Sequence, residues 1–464
     1  MRRRLLCCLS FLAACAAPAP EPVAPPVESP VAPLVESAPA APPPIAPAPR
    51  SFPSAWAEAS GLPDGPLNAV PPDVVVVVID TLRADRTSLL DPAATPGLAA
   101  WARGGRAYAQ AIAPSSWTLP SVAATLAGRE LRANHKRVPA DWTLLPARLA
   151  AAGYETAAVV ANPVLARDAG LAESFSTYEV TDGLPWSADD VLARADAWLA
   201  RPRTGPRFLY LHLMDPHTPY RSPEAAGVPG WSDGLGSSVG WPVGDRAACI
   251  ERWRRRYDGE VATVDAALAP WLARQTALVA VFGDHGEGLF SHRLADGARN
   301  KIRHGPRGCG DELRPGYDDH GRQRHEEAIR VPLWLVGPGV SPGVEERPVR
   351  LVDLARTLLS LAGNDSSPRL PLTASEPAAA VVLGVDKGGS FARTATRKLL
   401  RDPSGDSVVP VSLQPAAASE RPLVEPDTAV ALGALLDAWS AGAAEALAPA
   451  PDTKEALKAL GYIE

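Results

Sequence analysis

Six residues in this chain combine reactive side chains with positions that would fix them. Asp80 closes the apolar run VVVVVIDTLRAD at residues 74–85, and a strand that ends on a carboxylate holds its oxygens rigidly enough to ligate a metal. The competing reading is a capping aspartate, common where α/β strands end. A second apolar run ends in Gly283-Asp284-His285-Gly286-Glu287. There a hard oxygen and an imidazole adjoin at a turn whose glycines admit close backbone approach, a set suited to a divalent ion. Thr118 lies in Trp117-Thr118-Leu119-Pro120-Ser121, ahead of an Ala-rich stretch that closes at Gly128. A hydroxyl at a helix start faces free amides and the positive end of the dipole, where a phosphate or sulfate ester binds. A plain N-cap is the alternative. A neighbouring metal would lower the hydroxyl pKa, so the three pieces gain meaning together. His217, in HLMDPHTPY at 212–220, and His320, before Gly321, are candidates to orient ester oxygens or protonate a leaving group. His212, His292, His304 and His325 read as structural.

These residues need a scaffold that gathers them. Short apolar runs at 74–79, 156–161, 208–213, 278–282 and 332–336 alternate with helical patterns at 95–103, 119–127, 144–152, 188–200 and 257–273. Each run reads as a buried parallel strand, and the rhythm predicts an α/β fold with a doubly wound, mostly parallel sheet flanked by helices. Ligands bind at the C-terminal strand ends of such sheets. Two irregular insertions, at 227–246 and 293–319, break the rhythm and are long enough to be functional. After a helical stretch at 351–362, strand-like pieces at 379–383 and 398–401 and a helix at 428–447 predict a small C-terminal α+β subdomain. The expected division is a catalytic domain over 71–365 and the small subdomain over 366–464.

The start of the chain is of another kind. Arg2, Arg3 and Arg4 precede a short apolar stretch and Leu12-Ala13-Ala14-Cys15. This predicts a signal peptide over 1–14, with Cys15 as lipidated mature N-terminus, against the alternative of an ordinary cleaved signal. Residues 15–70 are Pro/Ala-rich and predict a semi-stiff tether that holds the domain off a membrane. The expected location is therefore the bacterial cell envelope, exported and lipid-anchored. Cys7 and Cys8 would leave with the signal, so Cys249 and Cys309 remain of the five cysteines, as a candidate disulfide or two buried thiols. A net charge of −6 with no basic block beyond 252–256 argues against a nucleic-acid partner.

From residue 72 onward the chain resembles the sulfatase family of the alkaline-phosphatase superfamily. The resemblance rests on IDTLRAD (79–85), TPGLAAWARGG (95–105), WTLPS (117–121), HLMDPHTPY, YDGEVATVD (257–265), GDHGE, HGRQRHEEAIRVPLWLVGPG (320–339), LVDLARTLLSLAG (351–363) and LKALGYIE (457–464), in that order. It implies one divalent metal held by Asp80, Asp284 and His285, with Thr118 as nucleophile and metal contact, and His217 and His320 lining the ester site. The departures are as informative. Sulfatases of the family oxidise a Cys or Ser to formylglycine within Cys/Ser-x-Pro-x-Arg; Thr118 cannot become that aldehyde, and Val122 holds the arginine position. Thr81 replaces a second metal aspartate, and residues 159–162 run where many sulfatases have Lys-x-His.

The resemblance with these departures implies phosphoryl chemistry through a threonine nucleophile, as in relatives that act on phosphodiesters. The expected substrate is an anionic ester, with an envelope lipid or glycan as candidates. The ligand set is compatible with Mn, Mg, Ca or Zn. Two rivals stand beside this reading: a sulfuric ester hydrolase working by another route, and a catalytically silent module that binds an anionic envelope glycan. Clustered metal ligands argue against silence, because their mutual repulsion is unfavourable without an ion.

Overall fold

The computed structural model describes residues 71–218, 220, 246–289, 291, 320–363, 372, 381–412 and 422–441. Its organising strand is β1 (Val74–Ile79), six β-branched residues, all buried. Side chains alternate across a strand, so Val74, Val76 and Val78 enter one hydrophobic layer, while Val75, Val77 and Ile79 enter the other. A strand buried on both faces belongs in the middle of a sheet covered on both sides. β1 indeed lies centrally in an eight-stranded sheet of order β4-β3-β5-β1-β6-β7-β2-β8.

Its parallel neighbours are β5 (Arg207–Leu213) and β6 (Leu278–Gly283), in a register that aligns Ile79 with Leu213 and with Gly283. β3 (Glu155–Val160) continues parallel beside β5, and β4 (Thr177–Val180) beside β3. Asp80, Asn162 and Asp284 therefore leave the sheet at one edge. Two helices do most to position the site. α2 (Thr118–Ala127) is buried along its whole length and stops at Gly128, which takes the left-handed conformation at φ 62°. α5 (Arg246–Leu272) packs on α1 (Pro96–Ala102), where Asp265 accepts hydrogen bonds from the Gly97 and Leu98 amides. Among the described residues, the remaining α-helices of this domain are α3 (Leu145–Ala151), α4 (Ala188–Leu199), α6 (Glu326–Ile329) and α7 (Leu354–Ala362). Among the described residues no helix is long and apolar enough to cross a membrane.

The doubly wound, mostly parallel sheet is as expected, with one correction. β7 (Arg330–Val336), read as parallel, runs antiparallel to both β6 and β2 (Gly105–Ile112). A parallel strand needs a crossover to the far edge of the sheet; here the chain still lies at the site edge when it enters α6, so β7 must descend. β2, β4 and β8 (Gly343–Arg350) carry half-buried polar positions, which blurred them in the apolar pattern.

The C-terminal part is a four-stranded antiparallel sheet, β9 (Val382–Asp386), β10 (Gly389–Arg393), β11 (Arg397–Asp402) and β12 (Gly405–Pro410), with α8 (Pro426–Ser440). Alternation again separates its faces. Leu383, Ala392, Leu399 and Val408 meet Leu432, Leu436 and Trp439 of α8; Val382, Phe391, Leu400 and Val409 meet Ile112, Ala328 and Ile329 of the large domain. Between the sheets, fully buried Glu326 accepts from Arg393 Nε and Nη2 (both 2.9 Å) and from Lys398 Nζ (3.1 Å). Cys15, the tether, the first insertion's residues 227–245, the second insertion and Cys309 lie outside the described residues; Cys249 is described only as backbone of α5.

Candidate active site

At the shared strand edge Asp80, Asp284 and His285 are wholly buried, and one donor atom from each lies within 4.8 Å of the others. The register of β1 against β6 makes this cluster. Thr81, just past Asp80, turns the chain through a left-handed conformation at φ 58°, a strain of about 1–3 kcal/mol for a β-branched residue. Three hydrogen bonds hold it there: Thr81 N donates to Asp284 Oδ1 (3.2 Å), Thr81 Oγ1 to the Asp80 carbonyl (2.7 Å), and Tyr257 Oη to the Thr81 carbonyl (2.7 Å). Gly286 is required by crowding, since a Cβ there would sit 1.9 Å from the Glu327 carbonyl.

Each carboxylate has one oxygen committed and one left over. Asp80 Oδ2 accepts from Asn162 Nδ2 (2.6 Å) and His212 Nε2 (3.0 Å), and Asp284 Oδ1 accepts from the amides of Thr81 and His285. Asp80 Oδ1 and Asp284 Oδ2 are buried with no hydrogen-bond partner. His285 Nδ1 donates to the Gly286 carbonyl (2.9 Å), so the Nε2 lone pair faces the same space, 3.8 Å from Asp80 Oδ1 and 3.6 Å from Asp284 Oδ2. Thr118 Oγ1 lies 3.1 Å from that Nε2. Orphaned buried oxygens cost about 1–3 kcal/mol each, more when charged. Two oxygens, an imidazole nitrogen and a hydroxyl converging on one space fit a single divalent ion.

The electrostatics agree. Burial, reinforced by the neighbouring Asp80 charge, pushes the Asp284 carboxyl well above its usual range. Burial acts on Asp80 too, but the hydrogen bond from His212, with the other histidines around it, outweighs burial and holds that carboxyl low. Burial and repulsion from His320 push His285 well below the usual histidine range. A neutral His285 and a charged Asp80 are the states a metal requires, and a bound cation would offset the repulsion that keeps Asp284 protonated beside Asp80.

Thr118 is the first residue of α2, and Ser121 Oγ anchors that helix turn to the Asp284 carbonyl (2.6 Å). His320 packs its ring 4.5 Å from that of His285, and its Nδ1 lies 2.9 Å from Glu287 Oε2. His217 meets His320 edge-on at 5.1 Å, with Nδ1 donating to the Thr218 carbonyl. All six residues singled out from the sequence therefore share one cluster. His212, read as structural, is hydrogen-bonded to Asp80, with Tyr210 Oη donating to its Nδ1 (2.8 Å). Asn162 and Glu287 are further partners that the sequence reading did not single out, although Asn162 stands just past β3, at the same edge. Buried Arg83 ties the first motif to GDHGE by bonding Asp85, the Glu287 and Gly288 carbonyls and Ser291.

Solved structures share this fold. An alkaline-phosphatase-superfamily protein from Vibrio parahaemolyticus is 16% identical with a TM-score of 0.54, covering 82% of this chain and 90% of its own. The phosphonate monoester hydrolase of Agrobacterium radiobacter is 17% identical, with a TM-score of 0.55 and coverage of 80% and 95%. The C-terminal periplasmic domain of EcEptC from Escherichia coli, solved in complex with Zn, is 16% identical, with a TM-score of 0.51 and coverage of 72% and 96%. No curated protein matches significantly. The sulfatase family profile matches residues 72–364, the span that carries all six clustered residues, and this chain belongs to the sulfatase family.

Proposed function

We propose that the protein is a metal-dependent hydrolase or transferase of phosphate esters, with phosphodiesters preferred, that uses Thr118 as nucleophile. The observation that carries this reading is Thr118 Oγ1 at 3.1 Å from His285 Nε2, beside two orphaned carboxylate oxygens. Asp80 Oδ1, Asp284 Oδ2, His285 Nε2 and Thr118 Oγ1 would hold the ion. When bound, it supplies a Lewis acid that makes the hydroxyl a better nucleophile and offsets charge on the phosphoryl oxygens.

Thr118 Oγ forms the new bond to phosphorus while the bond from phosphorus to the leaving oxygen breaks, in line. Burial holds the His217 imidazole below its usual range, and its Nδ1–H is taken up by the Thr218 carbonyl. The Thr118 proton leaves to solvent as the hydroxyl is activated, and His217 assists the leaving group by relaying a proton from solvent to the departing alcohol oxygen. His320, oriented through Nδ1 by Glu287, donates to a non-bridging oxygen. Water or a second alcohol then displaces Thr118 from phosphorus, giving hydrolysis or transfer. Anchoring through Cys15 in the cell envelope, with an envelope lipid or glycan as substrate, belongs to the same proposal.

The test is a panel of phosphodiesters, phosphomonoesters and sulfate esters assayed with Zn, Mn, Mg and Ca. Turnover of phosphodiesters that needs both added metal and Thr118 is the expected result. Turnover of sulfate esters alone would favour the sulfuric ester hydrolase. Protein that holds no metal and turns over nothing would favour the silent glycan-binding module.

A further inference from the structure

The helix that presents the Thr118 hydroxyl begins without a side-chain cap, since its N-cap residue Trp117 makes no capping hydrogen bond. From within the helix, Ser121 fixes the first turn to the Asp284 carbonyl. From outside, the segment that leads into it is held by the small C-terminal sheet. The Val385 amide of β9 donates to the Pro114 carbonyl (3.0 Å). Ser116 Oγ, two residues before the nucleophile, donates to Asp386 Oδ2 (3.0 Å).

Asp386 ends β9 and also reaches the segment that carries His320. Its Oδ1 accepts from Arg324 Nη1 (2.7 Å), and the next amide along, that of Lys387, donates to the Gly321 carbonyl (3.1 Å). The same Oδ1 accepts from the amides of Gly388 (2.6 Å) and Gly389 (3.1 Å). Four donors thus occupy the roughly four lone-pair sites of one buried carboxylate. An aspartate that only shaped its own hairpin would need the two glycine amides alone. The bonds to Ser116 and Arg324 instead join segments 270 and 62 residues away in the chain.

Glycines let the backbones come this close. A Cβ on Gly384 would sit 2.6 Å from the Pro114 carbonyl oxygen, and one on Gly388 would sit 2.6 Å from the Arg322 carbonyl oxygen. The two gripped segments also touch each other, because a Cβ on Gly321 would lie 3.8 Å from Trp117 Cβ. The hairpin therefore holds the nucleophile segment and the His320 segment against one another.

We propose that Asp386 is a positioning residue for the nucleophile, a role that rests on the threonine mechanism proposed above. Acting through Ser116, it sets where the Thr118 hydroxyl stands relative to the bound ester. Acting through Arg324, it keeps the His320 segment in place beside it. A misplacement of about 1 Å can cost about 100-fold in rate, so this contact acts on kcat more than on substrate binding.

The experiment compares wild type with Ser116→Ala, Asp386→Ala and the double variant, each as metal-loaded full-length protein. KM and kcat are measured with bis(p-nitrophenyl) phosphate, and amide exchange of residues 113–121 is followed by mass spectrometry. Each single variant is expected to lower kcat by about 10–100-fold, with KM within about threefold of wild type. The double variant is expected to lose no more than Asp386→Ala alone, because both substitutions cut the same bond. Asp386→Asn, whose amide can still meet Ser116 and Arg324, is expected to recover most of the lost kcat. Should Asp386→Ala fail to fold, Ser116→Ala carries the test, since it leaves the hairpin's own contacts intact. A kcat within about twofold of wild type in folded Ser116→Ala, or losses that multiply in the double variant, would overturn the assignment. If the wild type turns over no ester, faster exchange at 113–121 in Ser116→Ala would support the clamp and refute the threonine mechanism, while unchanged exchange would overturn both.

Discussion

His212 Nε2 stands 3.0 Å from Asp80 Oδ2, and Tyr210 Oη donates to His212 Nδ1 behind it. This buried relay, with Asn162 on the same oxygen, leaves Asp80 Oδ1 alone to face the metal space. Partners that orient a ligand typically tune metal affinity by about 10–100-fold. His212→Phe and Asn162→Ala are each expected to weaken Zn or Mn binding within that range while Thr118 and His285 stay in place. Competition titration with a chromophoric chelator measures it; unchanged affinity in both variants would mean that the relay is only packing.

The same relay marks where sequence reading stopped. Asp80, Asp284 and His285 were legible because each follows an apolar run, and such runs end at one edge in a parallel sheet. His212 was not, because its meaning depends on β5 lying beside β1 in the register that pairs it with Val78. β7 was legible as a strand but not in its direction, which depends on the course of the chain between β6 and α6.

Burial raises the Asp215 carboxyl to about 6 from 3.8. Its Oδ1 accepts from the Ala188 amide (3.3 Å), and its Oδ2 is buried with no hydrogen-bond partner. A raised acid pKa means that the folded state binds the proton more tightly than the unfolded one. Its contribution is full below the unfolded pKa and is lost as pH rises through about 6. Asp215→Asn keeps an acceptor for Ala188 without the charge. Its melting temperature is expected to rise relative to wild type between about pH 4 and pH 7.5. A constant difference across that range would contradict the assignment.

Glu326 pairs with both Arg393 and Lys398, and all three side chains are fully buried. Removing it takes a shared carboxylate from two buried cations between the large domain and the C-terminal sheet. Breaking a buried pair in this way costs about 3–5 kcal/mol. Glu326→Ala should therefore be strongly destabilised in urea, and Lys398→Met, which keeps the Glu326–Arg393 pair, much less so. Equal losses in the two variants would show that the cluster does not act through charge balance.

The most direct measurement of the central claim is covalent capture on Thr118. Metal-loaded protein is acid-quenched during turnover of a phosphodiester, and its peptides are mapped by mass spectrometry. A phosphoryl adduct is predicted on the peptide that carries Thr118 in wild type and not in Thr118→Ala, whose kcat should fall by about three orders of magnitude or more with its melting temperature unchanged. Turnover by Thr118→Ala at the wild-type rate would contradict the account.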